Sequence, residues 1–175
     1  MAHSRGTPIM FEVVGPLPIS GKAYGPPRTV EPQDAEAFWK KHAHLANRRG
    51  CYIIAKRAGK GSTPYYVGKT SRGFAKEALS DRNLVRYVNV MVQETAGTPV
   101  LFLLVEPRKR GRSNAKAIAE IEKHLISRAM DANPELMNQS STKSPAWGIR
   151  GLIRSGRGKR STSAHALRLC LSMDN

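Results

Sequence analysis

The stretch GCYIIAKRAGKGSTPYYVGKT, Gly50 to Thr70, decides the fold. Its first part is rich in β-branched and aromatic residues: Tyr52, Ile53, Ile54. A glycine-containing loop, RAGKGST, follows, and then a second such run through Tyr65, Tyr66 and Val67. Two strand-forming runs around a loop of this kind read as a β-hairpin, with the second strand at Tyr65–Lys69. The closing Gly68-Lys69-Thr70 looks at first like the end of a nucleotide-binding phosphate loop. Such a loop needs a glycine where this chain has Thr63, and open backbone N–H groups where it has Pro64, Tyr65 and Tyr66. The tripeptide therefore belongs to a strand.

Outward from the hairpin, QDAEAFWKKHAHLANR (residues 33–48) follows Pro32, with acids in its first turn and arginines at its end, and stops at Gly50. This predicts a helix with Phe38, Trp39, His42 and Leu45 facing inward. Before it, Gly6, Pro8, Gly15, Pro16, Pro18, Pro26 and Pro27 mark an arm, in which Phe11 to Val14 can form a short edge strand. Beyond the hairpin, Phe74–Leu79 and Leu84–Val92 read as helical. PVLFLLVE, Pro99 to Glu106, reads as a strand buried on both faces. A basic turn, PRKRGRS, leads into the strongest helical pattern, Asn114–Met130. Ala164–Met173 fits either a short strand or a short helix. The class expected is α/β, with a three-stranded, mainly antiparallel sheet flanked by helices. Three regions are expected: an N-terminal arm and helix packing on the core (1–49), the central domain (50–139) and a basic C-terminal extension (140–175).

The 175 residues carry 29 Lys and Arg against 13 Asp and Glu, a formal charge of +16, which points to a polyanionic partner, nucleic acid first. The two cysteines, Cys51 and Cys170, lack zinc-site spacing, and His42 and His44 stand too close in sequence to share a helix face. No apolar run is long enough to cross a membrane, and the first residues lack the pattern of a secretory signal. A cytoplasmic protein is expected, with no membrane partner and homo-oligomerisation left open.

One carboxylate stands in an unexpected place. At about 100° per residue, Glu122 falls about 40° from Ile118, inside the apolar face set by Ile118, Ile121, Leu125 and Ala129, whereas Glu120 points outward. A carboxylate turned inward is costly unless a cation meets it. That cation is either a structural partner side chain or a divalent metal, and a protein built for polyanions makes the second reading pertinent.

The order of these residues resembles the GIY-YIG nuclease superfamily, in a divergent bacterial branch. Gly50-Cys51-Tyr52 and Tyr66-Val67-Gly68 stand for the two tripeptides, then come a basic residue on a helix, Glu122, and Asn138 in LMNQ. The likeness spans roughly residues 50–139. It implies metal-dependent hydrolysis of phosphodiesters, with Mg²⁺ or Mn²⁺ on Glu122, water activation or orientation by Tyr52, support from Tyr66 and bracing by Asn138. Nearby cations are expected to lower a catalytic tyrosine's pKa. Lys69 is an alternative base or phosphate clamp. Where the superfamily has an arginine this chain has Lys76, with Arg82 on the next helix as the alternative. Cys51 stands in place of the usual isoleucine. The function expected is endonuclease action on nucleic acid, DNA before RNA; the alternative is a non-catalytic basic binding protein with a degenerate nuclease fold. Arg72, the turn Arg108, Lys109 and Arg110, and the acid-free segment holding Arg154, Arg157, Lys159 and Arg160 are expected to contact the phosphate backbone.

Overall fold

The computed structural model describes residues 9–19, 30–59, 61–92, 97–107, 111–138, 161–163 and 166–167. The chain divides into two compact units, Met1–Thr142 and Lys143–Asn175. The arm and the first helix thus belong to the same unit as the hairpin. In the second unit, Thr162, Ser163, Ala166 and Leu167 are helical.

The first unit is α/β. Its strands are β1 (Glu12–Pro18), β2 (Gly50–Ala58), β3 (Gly61–Thr70) and β4 (Thr98–Val105). They form one antiparallel sheet in the order β1-β4-β2-β3. The expected three strands are therefore four. The fourth, β1, is the edge strand foreshadowed at Phe11–Val14, and it pairs with β4 from Glu12↔Val105 to Pro18↔Val100. The hairpin is also tighter than its glycine-rich loop implied. Ala58 already pairs with Gly61, so most of that loop is strand.

The helices are α1 (Pro32–Lys41), α2 (Ala43–Ala46), α3 (Phe74–Glu77), α4 (Asp81–Val92) and α5 (Ala115–Ala132). The helix predicted over 33–48 is broken at His42, whose backbone leaves the helical region. A reciprocal pair of bonds between Glu31 and Asp34 starts α1. Asn114 caps α5 by accepting from the Ala117 N–H at 3.1 Å.

Strand alternation separates two faces. Tyr52, Ile54, Leu101, Leu103 and Val105 join Phe38, Leu45, Phe74, Leu84 and Tyr87 in the larger core, on the side of α1 to α4. On the other face, Val67 and Ile53 pack with Ile126, Ala129 and Leu125 of α5. β4 is less enclosed than predicted, since Phe102 and Leu104 are only half-buried.

Gly50 fixes how β2 enters the sheet. Its φ of +144° is one that side chains rarely adopt, and a Cβ there would run into the Leu104 carbonyl.

Past β4, Glu106 is fully buried. Its Oε1 accepts from the Asn114 N–H at 2.7 Å, so a carboxylate sits at the N-terminus of α5. Its backbone carbonyl accepts from Arg48 Nη2 at 2.6 Å, and Oε2 lies 3.8 Å from Arg49 Nε. This knot ties the ends of β4, α5 and the α2–β2 connection together.

Candidate active site at the end of the edge strand

β3 is an outer strand of the sheet, and the groups singled out by sequence gather around its last residues. Tyr52 lies opposite Gly68 on the neighbouring strand. A Cβ on Gly68 would overlap the Tyr52 phenol, so the glycine is what allows that ring to cross β3. The Tyr66 ring lies 6.2 Å from that of Tyr52 on the same face.

A polar relay holds this pair. Asn83 of α4, itself buried, donates through Nδ2 to the Tyr52 hydroxyl at 2.9 Å and to the Glu77 carbonyl at 2.6 Å. Arg86 Nη1 donates to Asn83 Oδ1, and the same guanidinium stacks 4.0 Å above the centre of the Tyr66 ring. The Asn83 side chain thus ties together Tyr52, the Glu77 carbonyl and Arg86, and through Arg86 the Tyr66 ring, while Tyr66 and Arg86 remain half-exposed.

Burial, reinforced by the Tyr66 phenol, holds the Tyr52 pKa well above the ordinary phenol range, against the smaller opposing effects of Asn83 and Arg86. The expectation that cations lower its pKa is corrected: it is 3% exposed, and loss of solvation outweighs the positive field. Tyr52 is a neutral, fixed hydroxyl beneath the site.

Glu122 is placed where the helical spacing put it, on the α5 face, but it is half-buried and already partnered. Lys69 Nζ lies 2.5 Å from its Oε2, with side-chain exposures of 47% for the lysine and 19% for the carboxylate. By alternation, Lys69 and Cys51 share this face, opposite the tyrosines. The acid and the rings expected to surround one cation therefore flank the end of β3 from its two sides. Cys51 donates through Sγ to the Ile118 carbonyl at 3.3 Å. Its pKa is pushed up to about 12 by burial first and by the Glu122 charge second. It is a packed thiol.

Asn138 braces the strand directly. Its amide accepts from the Val67 N–H at 2.9 Å and donates to the Val67 carbonyl at 2.7 Å, so the side chain mimics a further strand. Met137 N–H donates to the Tyr65 carbonyl, and Asn133 Nδ2 to the Pro64 carbonyl, both at 2.8 Å. The segment after α5 thus lines the outer edge of β3 as far as Val67.

The cation at the tyrosines is Arg86. Lys76 and Arg82 are exposed, and Arg72, also exposed, pairs with Glu77. Sequence spacing missed Arg86 and Asn83; their shared face on α4 was the available signal, since Asn83 and Tyr87 repeat at helical spacing with Arg86 beside them. Arg108, Lys109, Arg110, Arg154, Arg157, Lys159 and Arg160 lie outside the described residues.

As a metal site, the donor set is minimal. Among the described residues no three His, Cys, Asp or Glu cluster. A Mg²⁺ or Mn²⁺ ion can rest on one protein carboxylate when water and phosphate oxygens complete its shell, and Glu122 suits that arrangement if Lys69 yields its place. Among the described residues, no helix is long and apolar enough to cross a membrane. No family model, curated protein or solved structure matches the chain.

Proposed function

We propose that the protein is a divalent-metal-dependent endonuclease that hydrolyses phosphodiester bonds in nucleic acid, DNA before RNA. The observation carrying this reading is that a tyrosine pair locked by Asn83 and Arg86 lies on one face of the end of β3 and the Lys69–Glu122 pair on the other. This is a site for an anion and an attacking water. The charge of +16 suits a long polyanion.

In this reading Arg86 and Lys69 neutralise the phosphodiester, whose own negative charge otherwise repels a nucleophile. Arg86 brings a planar fork suited to phosphate oxygens. Tyr66, half-exposed under that guanidinium, orients the water. Tyr52 and Asn83 hold Tyr66 and Arg86 in register from below. Asn138 fixes the height of Val67 and so of Gly68 and Lys69. Glu122 would hold the metal, which supplies Lewis-acid stabilisation of charge on the departing oxygen.

A second reading, a binding protein on a nuclease-like fold, draws on the engagement of Glu122 by Lys69 and on the placement of the rings on the opposite face. Plasmid and single-stranded DNA incubated with Mg²⁺ or Mn²⁺ separate the two. Cleavage by the wild type that falls at least a hundredfold in Glu122→Ala supports the enzyme. Binding without cleavage by either protein supports the second reading.

A further inference from the structure

We infer that Lys69 is the exchangeable counter-ion of Glu122: it occupies the carboxylate in the metal-free protein and turns to the phosphodiester when a divalent cation takes its place. The inference rests on the endonuclease reading, and it assigns that site an order of events.

The pair is asymmetric in a way that suits exchange. The Glu122 carboxylate is mostly sheltered and needs a cation close by, because an unpaired carboxylate in such surroundings is expensive. The lysine is about half in water, on a flexible four-carbon stem, so leaving costs it little. Its ammonium meets Oε2 at 2.5 Å and so occupies an oxygen that a metal held by Glu122 would need. A divalent ion at that oxygen carries twice the charge of the ammonium and repels it.

Lys69 follows Gly68 on the outer strand of the sheet, and the bracing by Asn138 ends at Val67. A displaced ammonium would remain on the α5 face of the end of β3, with the Arg86–Tyr66 stack on the opposite face. With a metal on Glu122, Lys69 would be free to meet phosphate, and the metal would supply Lewis-acid chemistry. By linkage, a bound polyanion that draws Lys69 away tightens the metal by the same factor.

The test is Mn²⁺ binding to the full chain without nucleic acid, read by the electron paramagnetic resonance of free Mn²⁺. The proteins are wild type, Lys69→Met, Lys69→Gln and Glu122→Gln, each checked for folding by circular dichroism. Removing the competitor should tighten Mn²⁺ roughly fivefold in both lysine variants, and Glu122→Gln should abolish binding. Binding by the lysine variants and none by wild type would support the exchange most strongly. If Glu122→Gln abolishes binding while both lysine variants bind as wild type or more weakly, the exchange is wrong and the metal site stands. If Glu122→Gln binds as wild type, or no protein binds, the metal site of the endonuclease reading falls and the exchange falls with it.

Discussion

The absent side chain of Gly68 and the sheltered thiol of Cys51 show what single positions contribute. In Gly68→Ala the new methyl overlaps a ring that Asn83 and the surrounding core hold in place. The expected cost is about 2 kcal/mol in urea unfolding, within the range for overpacking. Lys69→Ala, next along, leaves the sheltered Glu122 carboxylate without its partner and should cost about 1 to 3 kcal/mol. Cys51 sets a pH dependence. Its ordinary pKa of 9.0 applies to the unfolded chain and about 12 to the folded one. Between those values the unfolded state holds fewer protons, so stability falls with rising pH, by about 1.4 kcal/mol per pH unit. Below pH 9 both states keep the proton and the thiol adds no slope. Tyr52 and Tyr87, also raised by burial, act in the same direction at higher pH. Chemical unfolding of Cys51→Ala should therefore show a shallower decline from pH 9 upward, and equal slopes would show that the thiol is not sheltered.

At the scale of elements, what could be read from the sequence depended on range. The hairpin was legible because its pattern and its turn are local, and α5 because its period repeats over many residues. The same period placed Glu122 on the inner face. It did not reveal the partner Lys69, which comes from a strand far away in sequence. β1 joins the sheet by pairing with β4 across most of the chain, which no local pattern encodes. Asn83 and Arg86 matter because α4 crosses the sheet over the tyrosines, a consequence of packing. Glu106 is the clearest case. At the end of an apolar strand it reads as a boundary charge, yet it is buried at the start of α5 with Arg48 and Arg49 around it. Glu106→Ala removes the acceptor for the Asn114 N–H and leaves Arg49 without its ion-pair partner at 3.8 Å. Loss of about 3 kcal/mol is expected, in line with breaking a buried ion pair. Hydrogen exchange should report faster opening of the first turn of α5, with the β2–β3 pairing little changed. Uniform acceleration throughout would mean that the knot holds the whole unit rather than this junction.

For the molecule as a whole, the sheet unit holds the core and most of the cations, and the terminal segment adds a further net positive charge. The buried residues of the sheet and its helices run from Ile19 to Asn133, inside the unit that ends at Thr142. The segment from Lys143 onward contributes seven of the 29 Lys and Arg and one of the 13 acids. The terminal segment's share of the electrostatic attraction to a polyanion should thus be separable from stability. A chain ending at Thr142 is expected to keep the wild-type far-ultraviolet signature of the sheet and α5, and to unfold cooperatively. Its affinity for duplex DNA should drop, and so should the dependence of that affinity on salt. Each lost phosphate contact lowers the slope of log K against log salt by about 0.9. A slope shallower by about 3 to 6 is expected if most of those cations touch the backbone. The site groups Tyr66, Lys69, Arg86 and Glu122 all remain in the shortened chain. On the endonuclease reading, cleavage at saturating DNA should then persist, whereas cleavage at low DNA falls with affinity. An unchanged salt slope would mean that the terminal cations do not meet the phosphate backbone, and that the sheet unit supplies the electrostatic contacts itself.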